Sequence, residues 1–511
     1  LESVRKRKEF EYDVIFIGAG ASGLICAKEL SNKKPNLKIA IIESGGLKKN
    51  KKINQLDSDI STNKSIDFEN STARYYGGKT NKWAGRVIGV GEDELDYWPI
   101  NKQEILFWRD KAFKKLINDN YSIKNLYEDS LELSSETNLD PLLKESFEIC
   151  PSLLINPKSF KINYGKYSNI DLFINSTVVK LNTNKVIDKI TSLIVSSSIS
   201  GEKFIFKSNQ YICCNGGIEI VRLLFLSSKN KKHGIANKSG TLGRNFSGHP
   251  RGTEGIVKLN EKIDIDNNFL VSSANIKKGF NIEFGLELNS EYCKKHSIHK
   301  SRICFNPVIT DLHSKFFYLN KKNYYGIRKK LNNFGLKEHS LIKGLYLYLK
   351  FKFKKVFNLP RQTKYLIVSN YCASSLNKKS KVYLGKNKDY LGYEKAIVDW
   401  QISKKDKKSL VLTHKYLADT LKKRNLGILE SDLLNKSSWK IWGGSSHFMS
   451  TTVMSKSPRN GVVDRDCKTH DVNNLYIVGP SIFPTPYFSN PILFIILFSL
   501  RLANHISKIY K

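Results

Sequence analysis

The feature that most constrains this chain lies near its N-terminus. Val14-Ile15-Phe16-Ile17 is a short apolar, β-branched run, the pattern of a strand buried on both faces. Gly18-Ala19-Gly20-Ala21-Ser22-Gly23 follows at once, and Leu24, Ile25, Ala27 and Leu30 then mark one face of a helix. A second buried run, Lys38–Ile42, ends at Glu43, 20 positions beyond Gly23. Alone, a GxGxxG string says little. Between a strand and a helix, with an acidic residue after the next strand, it specifies a β-α-β unit built for a dinucleotide. Gly18 permits the tight turn, Gly20 lets a pyrophosphate approach the backbone, and Gly23 lets the helix pack on the strand. Ser22 belongs to the same loop, the helix N-terminus favours the anion, and Glu43 suits ribose hydroxyls.

The rest of the chain is large enough to surround such a unit. Its 511 residues suggest two to four domains or one large two-domain enzyme, and 40% hydrophobic with 11% aromatic residues suffices for a sizeable core. The net charge of +37 comes from lysines scattered along the chain, whereas nucleic-acid recognition wants a clustered basic face; no nucleic-acid partner is expected. The eight cysteines form no CxxC and no disulfide framework, so no metal site is expected and a cytoplasmic, reducing setting fits best. No run of about 18 apolar residues is present, the length a spanning helix requires. Arg5-Lys6-Arg7-Lys8 ahead of Val14–Ala27 imitates a secretory leader, but Glu9, Glu11 and Asp13 interrupt it, and the chain begins with Leu.

Residues 73–100 form a Gly- and aromatic-rich loop able to hold backbone against a flat ring system, and 101–150 read as mainly helical. Short strands follow at Leu172–Ile174, Val178–Leu181, Ser192–Ser196, Phe204–Phe206 and Tyr211–Cys214; the last runs through Asn215-Gly216-Gly217 into a helix, Ile218–Leu226. Residues 251–440 alternate strand-like pieces with basic loops, which reads as an antiparallel sheet with covering helices, a separate substrate domain. Within it, Ile342, Leu345, Tyr346, Leu349, Phe353, Val356 and Phe357 fall on one stripe of a lysine-rich helix. Such a helix either packs its stripe on the core, the commoner arrangement, or lies on an anionic bilayer.

Two C-terminal segments carry the chemistry. In Trp442–Met454, His447 sits among small residues that let a ligand near the backbone. In Asn474–Pro491, a buried strand leads through Gly479 and a proline-rich turn to Asn490, and Pro491 opens an apolar helix, Ile492–Leu502, too short to cross a bilayer. Its N-terminus would stabilise negative charge developing on a bound ring system.

With these segments in view, the chain resembles the glucose–methanol–choline (GMC) flavoprotein oxidoreductases, in their divergent bacterial branch. The likeness covers the N-terminal fingerprint, the loop after 73, the Asn215-Gly216-Gly217 junction, Gly243–Pro250 and nearly all of 442–506. The resemblance implies an α/β fold: a Rossmann-like FAD-binding domain assembled from 11–100, 171–250 and 436–511, a helical insertion at 101–170, and an α+β substrate domain at 251–435. It implies extended, non-covalent FAD, since no histidine lies between Thr72 and Gly91 where some members attach it. Gly18, Gly20, Ser22 and Gly23 would meet the pyrophosphate, Glu43 the ribose and Val178 the adenine side. Gly78, Thr80 and Asn81 would lie near the flavin, with Gly216, Gly479 and Pro491 also on the cofactor. The family's active-site pair maps to His447 and Asn490. His447 would take the proton of an alcohol, polyol or sugar as hydride leaves for flavin N5, and Asn490 would hold the same oxygen.

Elementary chemistry agrees, because hydride removal from an alcohol needs a nearby base and histidine suits that task at neutral pH. His249, His470 and His505 read as structural. Departures exist: Ser450 stands where the family has glycine, Lys79 where it has a small residue, and Ser227-Ser228 lacks a following glycine. An NAD-linked dehydrogenase has no use for the Gly479–Asn490 segment. A non-catalytic flavin-binding or peripheral membrane protein using helix 341–357 is the alternative. The substrate, the electron acceptor and the oligomeric state are not encoded in any motif.

Overall fold

The computed structural model describes residues 8–56, 60–61, 71–83, 85–88, 92–117, 122–126, 128, 147–150, 152–154, 167–231, 233–251, 255–265, 271, 273–275, 281–308, 340–357, 361–435 and 442–510. The basic run Arg5–Arg7 and much of 118–166 lie outside them.

The apolar runs read from sequence assemble into a seven-stranded sheet. Strand Glu9–Ile17 pairs in parallel with Ile39–Ile42 on one side and Lys203–Cys213 on the other. Ile170–Phe173 extends the first edge, and Leu475–Ile477 pairs with the C-terminal end of Lys203–Cys213, both in parallel. Val14, Ile15, Phe16 and Ile39–Ile41 are wholly buried, as parallel strands covered on both faces must be. Helix Ala21–Lys33 and the C-terminal helix Ile492–Ile509 pack against each other and help cover this sheet. A meander of Ser176–Thr183, Ile190–Ser197 and the start of Lys203–Cys213 completes the edge with antiparallel pairing.

Sequence reading splits Lys203–Cys213 into two strands; it is one strand of 11 residues. Its first half is partly exposed beside the meander and its second half is buried in the parallel sheet, so the hydrophobic pattern changes midway. The last helix also differs from expectation. It continues to Ile509, 18 residues, long and apolar enough by composition to cross a bilayer, yet 72% of it is buried in the molecule. Ser499, Arg501 and Ser507 end the apolar run but not the helix: Ser499 Oγ donates back to the Ile495 carbonyl at 2.7 Å, and Arg501 is paired with Glu104 and Asp466.

The second half of the molecule is antiparallel, as expected. A six-stranded sheet runs in the order Gly427–Glu430, Gly255–Asp264, Gln362–Cys372, Ser301–Val308, Leu286–Leu288, Phe147–Ile149. Helix Lys404–Lys423 covers it, started by a capping box in which Ser403 and Asp406 satisfy each other's backbone amides. The stretch 101–170 is less helical than its sequence suggests. Among its described residues, Lys102–Ile117 is a helix, whereas Phe147–Ile149 and Ser152–Leu154 are strands of two antiparallel sheets. Strands of three residues are too short to show a period of two.

Helix Leu341–Val356 forms where the periodicity places it, capped by the Ser340 hydroxyl. Its stripe is not packed on the core. Ile342 is 85% exposed, Tyr346 62%, Leu349 58% and Phe353 55%. Periodicity reports that a helix has an apolar face, not what covers that face.

Candidate active site

The glycine loop has the geometry its spacing implies. Gly18 adopts φ +106°, and a Cβ there would sit 2.8 Å from the Asn215 backbone. A Cβ on Gly23 would lie 2.3 Å from the Gly18 carbonyl, so only glycine lets the helix seat this closely. Gly20 is different: the nearest atom to a Cβ there is 3.9 Å away, and the position opens onto a cavity. No side chain caps the helix N-terminus and no acidic residue occupies its first turn, which leaves its dipole available to an anion. Glu43, buried at the end of the second strand, accepts the Ala19 amide at 2.9 Å and the Gly45 amide at 2.8 Å, so it clamps the loop it was expected to serve.

The Gly-rich segment after 71 folds over this loop. The Gly77 amide donates to the Ala19 carbonyl and Tyr76 to Gly46, each at 2.9 Å. Thr80 Oγ1 donates to the Gly77 carbonyl at 2.6 Å, and Asn81 Nδ2 reaches the carbonyls of Tyr76 and Gly78. From the other side, Thr451 Oγ1 donates to the Gly217 carbonyl at 2.7 Å, and the Thr452 amide to Ser481 at 2.8 Å. Ser450 adopts φ +64°, the left-handed conformation that explains why glycine suits this position.

One cavity of about 550 Å³ joins these pieces. Glu43 and Val178 line it, then Gly18, Gly20 and Ser22, then Gly78, Thr80 and Gly216, and finally His447, Asn490 and Pro491. Three expected residues do not line it. Gly23 is the packing contact just described, Asn81 staples its own loop, and Gly479, at φ +139°, lies behind Ser22. The residues present suit a dinucleotide: an uncapped helix N-terminus, a bare Gly20, and Gly216 at φ +87° with nothing within 4 Å of where a Cβ would be.

At the far end, His447 lies on strand Trp442–Met449, which pairs with Ser247–Arg251 through an irregular register. That irregularity brings the rings of His447 and His249 edge to face, centroids 4.8 Å apart. His249 is wholly buried, and neither ring nitrogen completes a hydrogen bond, although the Tyr487 carbonyl lies near. Burial, then the Arg251 charge, push its pKa down to about 3. His447 is also held well below the usual histidine range, first by burial and then by His249, Lys79 and Arg251. It is therefore a neutral imidazole at neutral pH. Asn490 Nδ2 donates to the Arg86 carbonyl at 3.1 Å, which fixes the amide at the cavity wall.

Several lining residues escaped the sequence reading. Lys79 Nζ sits 3.7 Å from the centroid of the Phe448 ring. Arg74, Glu219, Arg222 and Asp389 form a buried ionic network on the wall, and Arg86, Arg302 and Tyr371 enter from the antiparallel sheets. His249 did carry a signal, the Gly243–Pro250 motif, but nothing in that motif says which ring it faces.

Comparison with known proteins gives the following. Residues 377–499 match the GMC oxidoreductase C-terminal family, and residues 4–46 match the Thi4 family. No characterised protein matches the chain by sequence. Among solved structures, pyridoxine 4-oxidase from Mesorbium loti superposes with TM-score 0.59 at 13% identity, covering 97% of this chain and 99% of its own. Formate oxidase superposes with TM-score 0.60 at 15% identity, covering 98% and 99%. An Aspergillus oryzae formate oxidase variant studied for its FAD modification gives the same TM-score at 14% identity, with the same coverage. The C-terminal segment 377–499 is thus similar to the GMC oxidoreductase family, and the fold is shared end to end with pyridoxine 4-oxidase and formate oxidase.

Proposed function

We propose that the chain is an FAD-dependent oxidoreductase that oxidises the CH–OH group of an alcohol, polyol or sugar. The observation that carries this reading is a single cavity lined by a bare glycine loop, a neutral, partly buried His447 and Asn490. Bound FAD would supply a two-electron acceptor for the hydride. Gly18, Gly20 and Ser22 would hold its pyrophosphate, and Glu43 and Val178 its adenosine half. Gly78, Thr80, Gly216 and Pro491 would border the ring system.

His447 takes the hydroxyl proton of the substrate, because its ring is uncharged at neutral pH. Asn490, held by the Arg86 carbonyl, binds the same oxygen. His249 excludes water from one side of His447 and, staying neutral itself, does not compete for the proton. The purified protein is expected to show the twin absorption bands of flavin, released into the supernatant on acid precipitation. A colourless chain that cannot be reconstituted with FAD would remove this reading.

The exposed stripe of helix Leu341–Val356 favours a further property: contact with an anionic lipid surface. Ile342, Leu345, Tyr346, Leu349 and Phe353 stand exposed with Lys343 and Lys350 beside them, the arrangement of a helix lying in a bilayer interface. Each lysine near an anionic surface adds about 1 kcal/mol. The protein is expected to co-sediment with phosphatidylglycerol-containing vesicles but not with pure phosphatidylcholine, and Leu345→Asp/Phe353→Asp should abolish sedimentation while leaving flavin content intact. Equal recovery of both proteins in the supernatant would remove the lipid contact.

A further inference from the structure

The two ends of the cavity are charged differently. At the end near Ser44, cations and anions match. Arg74 pairs with Glu219, and Arg222 with Glu219 and Asp389. At the His447 end they do not. Lys79, Arg86, Arg251 and Arg302 gather there, and of the three arginines only Arg86 pairs with a carboxylate among the described residues, through both oxygens of Glu283.

Arg302 is the most telling of these. It lines the cavity and is only 2% exposed. Its Nη2 donates to the Cys150 carbonyl at 3.2 Å and to Ser152 Oγ at 3.1 Å, both neutral. Its Nε is buried with no hydrogen-bond partner, and among the described residues no carboxylate forms an ion pair with it. Directly across the strand pair lies Tyr371, which also lines the cavity. The guanidinium of Arg251 stacks 3.8 Å from the centre of the Tyr371 ring, and its Nε is likewise buried and unpartnered. A guanidinium keeps its charge at any pH a cell reaches. Burying one without an anion is costly, and removing its partner from a pair is what usually creates that cost. A buried Arg302 on the cavity wall, with Arg251 stacked on the neighbouring Tyr371 ring, describes a site whose anion arrives with the ligand.

We propose that the substrate carries an anionic group, a carboxylate or a phosphate, which Arg302 binds, with the charge of Arg251 beside Tyr371 supporting it. The proposal rests on the oxidoreductase reading, and it narrows the substrate class from alcohols in general to hydroxy compounds bearing an acid group. Lys79 contributes a third positive charge to the same end of the cavity. Charge-assisted hydrogen bonds of this kind are about twice as strong as neutral ones, so the acid group would dominate orientation of the reacting alcohol.

Calorimetric titration of the purified holoprotein with acetate, inorganic phosphate and acetamide tests the site without depending on turnover. At least one anion is expected to bind ten-fold or more tightly than acetamide, and acetate against phosphate identifies which acid is preferred. The advantage should disappear in Arg302→Gln and weaken in Arg251→Gln. Should Arg302→Gln fail to fold, the partly exposed Arg251 decides through its own variant. Equal binding of all three probes, or anion affinity unchanged in the folded variants, would overturn the proposal. Anion binding in a chain that takes up no FAD would sink the oxidoreductase reading and leave the anion site standing. A flavin-loaded chain indifferent to anions would sink the anion site alone.

Discussion

Replacing His447 with alanine is expected to lower kcat by about 10²- to 10⁴-fold, the range that general-base assistance supplies, with FAD content unchanged. The loss should fall on kcat and on kcat/KM together, because the proton is transferred in the transition state and not on binding. The pH profile gives the second half of the test. Burial, His249, Lys79 and Arg251 all disfavour the charged ring of His447. The group is thus already deprotonated, and catalytically competent, throughout the neutral range. As pH falls, activity should persist below the ordinary histidine value of about 6.5 and fail only where the depressed pKa is reached. In His447→Gln, which keeps a hydrogen-bonding side chain but cannot take a proton, the residual rate should lose that acid limb. An acid limb that remains at the wild-type position in His447→Gln would assign the base to another residue. A rise in KM with kcat intact would make His447 a binding residue only.

The parts of this molecule that could be read from its sequence are those in which backbone geometry dictates residue type. Gly18 must turn, Gly23 must admit a carbonyl, and Gly20 must leave space; each demand is local and each leaves a glycine. His447 and Asn490 are singled out by compact local motifs, the first on the strand that pairs with Ser247–Arg251 and the second in the turn that follows strand Leu475–Ile477. The charged residues around the cavity obey no such rule. Arg222 and Asp389 are 167 positions apart, and nothing near either one announces the other. Arg302 and Tyr371 face each other only because two long strands pair in one register. Likewise the stripe on helix Leu341–Val356 was visible, but the choice between core and solvent is made by tertiary packing, which a period cannot report. Ser450 and Ser227 show the converse. Ser450 departs from the expected glycine yet takes up the left-handed conformation, and in the Ser227-Ser228 pair, which lacks the expected following glycine, Ser227 Oγ accepts the Leu181 amide at 2.9 Å while donating to the Leu223 carbonyl at 2.6 Å.

Arg222→Leu is expected to cost about 3–5 kcal/mol of unfolding free energy, the loss typical when one partner of a buried ion pair is removed. Arg222 lies on helix Glu219–Leu226, one strand connection after the glycine loop, and its side chain is 5% exposed. Its Nε donates to the Glu394 carbonyl at 2.7 Å and Nη1 to the Leu56 carbonyl at 3.1 Å, while Nη2 pairs with Asp389, whose side chain is 2% exposed. The guanidinium therefore ties the dinucleotide half of the fold to the hairpin of Lys381–Lys388 and Glu394–Asp399. Leucine would leave the Asp389 carboxylate and two carbonyls with one donor fewer, in a place where water has little access. Asp389 Oδ1 still accepts the Leu391 and Tyr393 amides, which hold the carboxylate in place beside the lost cation. Urea denaturation of Arg222→Leu, Asp389→Asn and the double variant forms a cycle. The double variant should recover part of the loss, because an amide still accepts the two backbone bonds but no longer demands a cation. Additive losses across the cycle would show that Arg222 stabilises through its other partners, the carbonyls of Glu394, Leu56 and Tyr393 and the Glu219 carboxylate. Because Arg222 and Asp389 also line the cavity, each single variant should bind FAD more weakly, and recovery of FAD affinity in the double variant would tie the cofactor site to the charge balance of this wall.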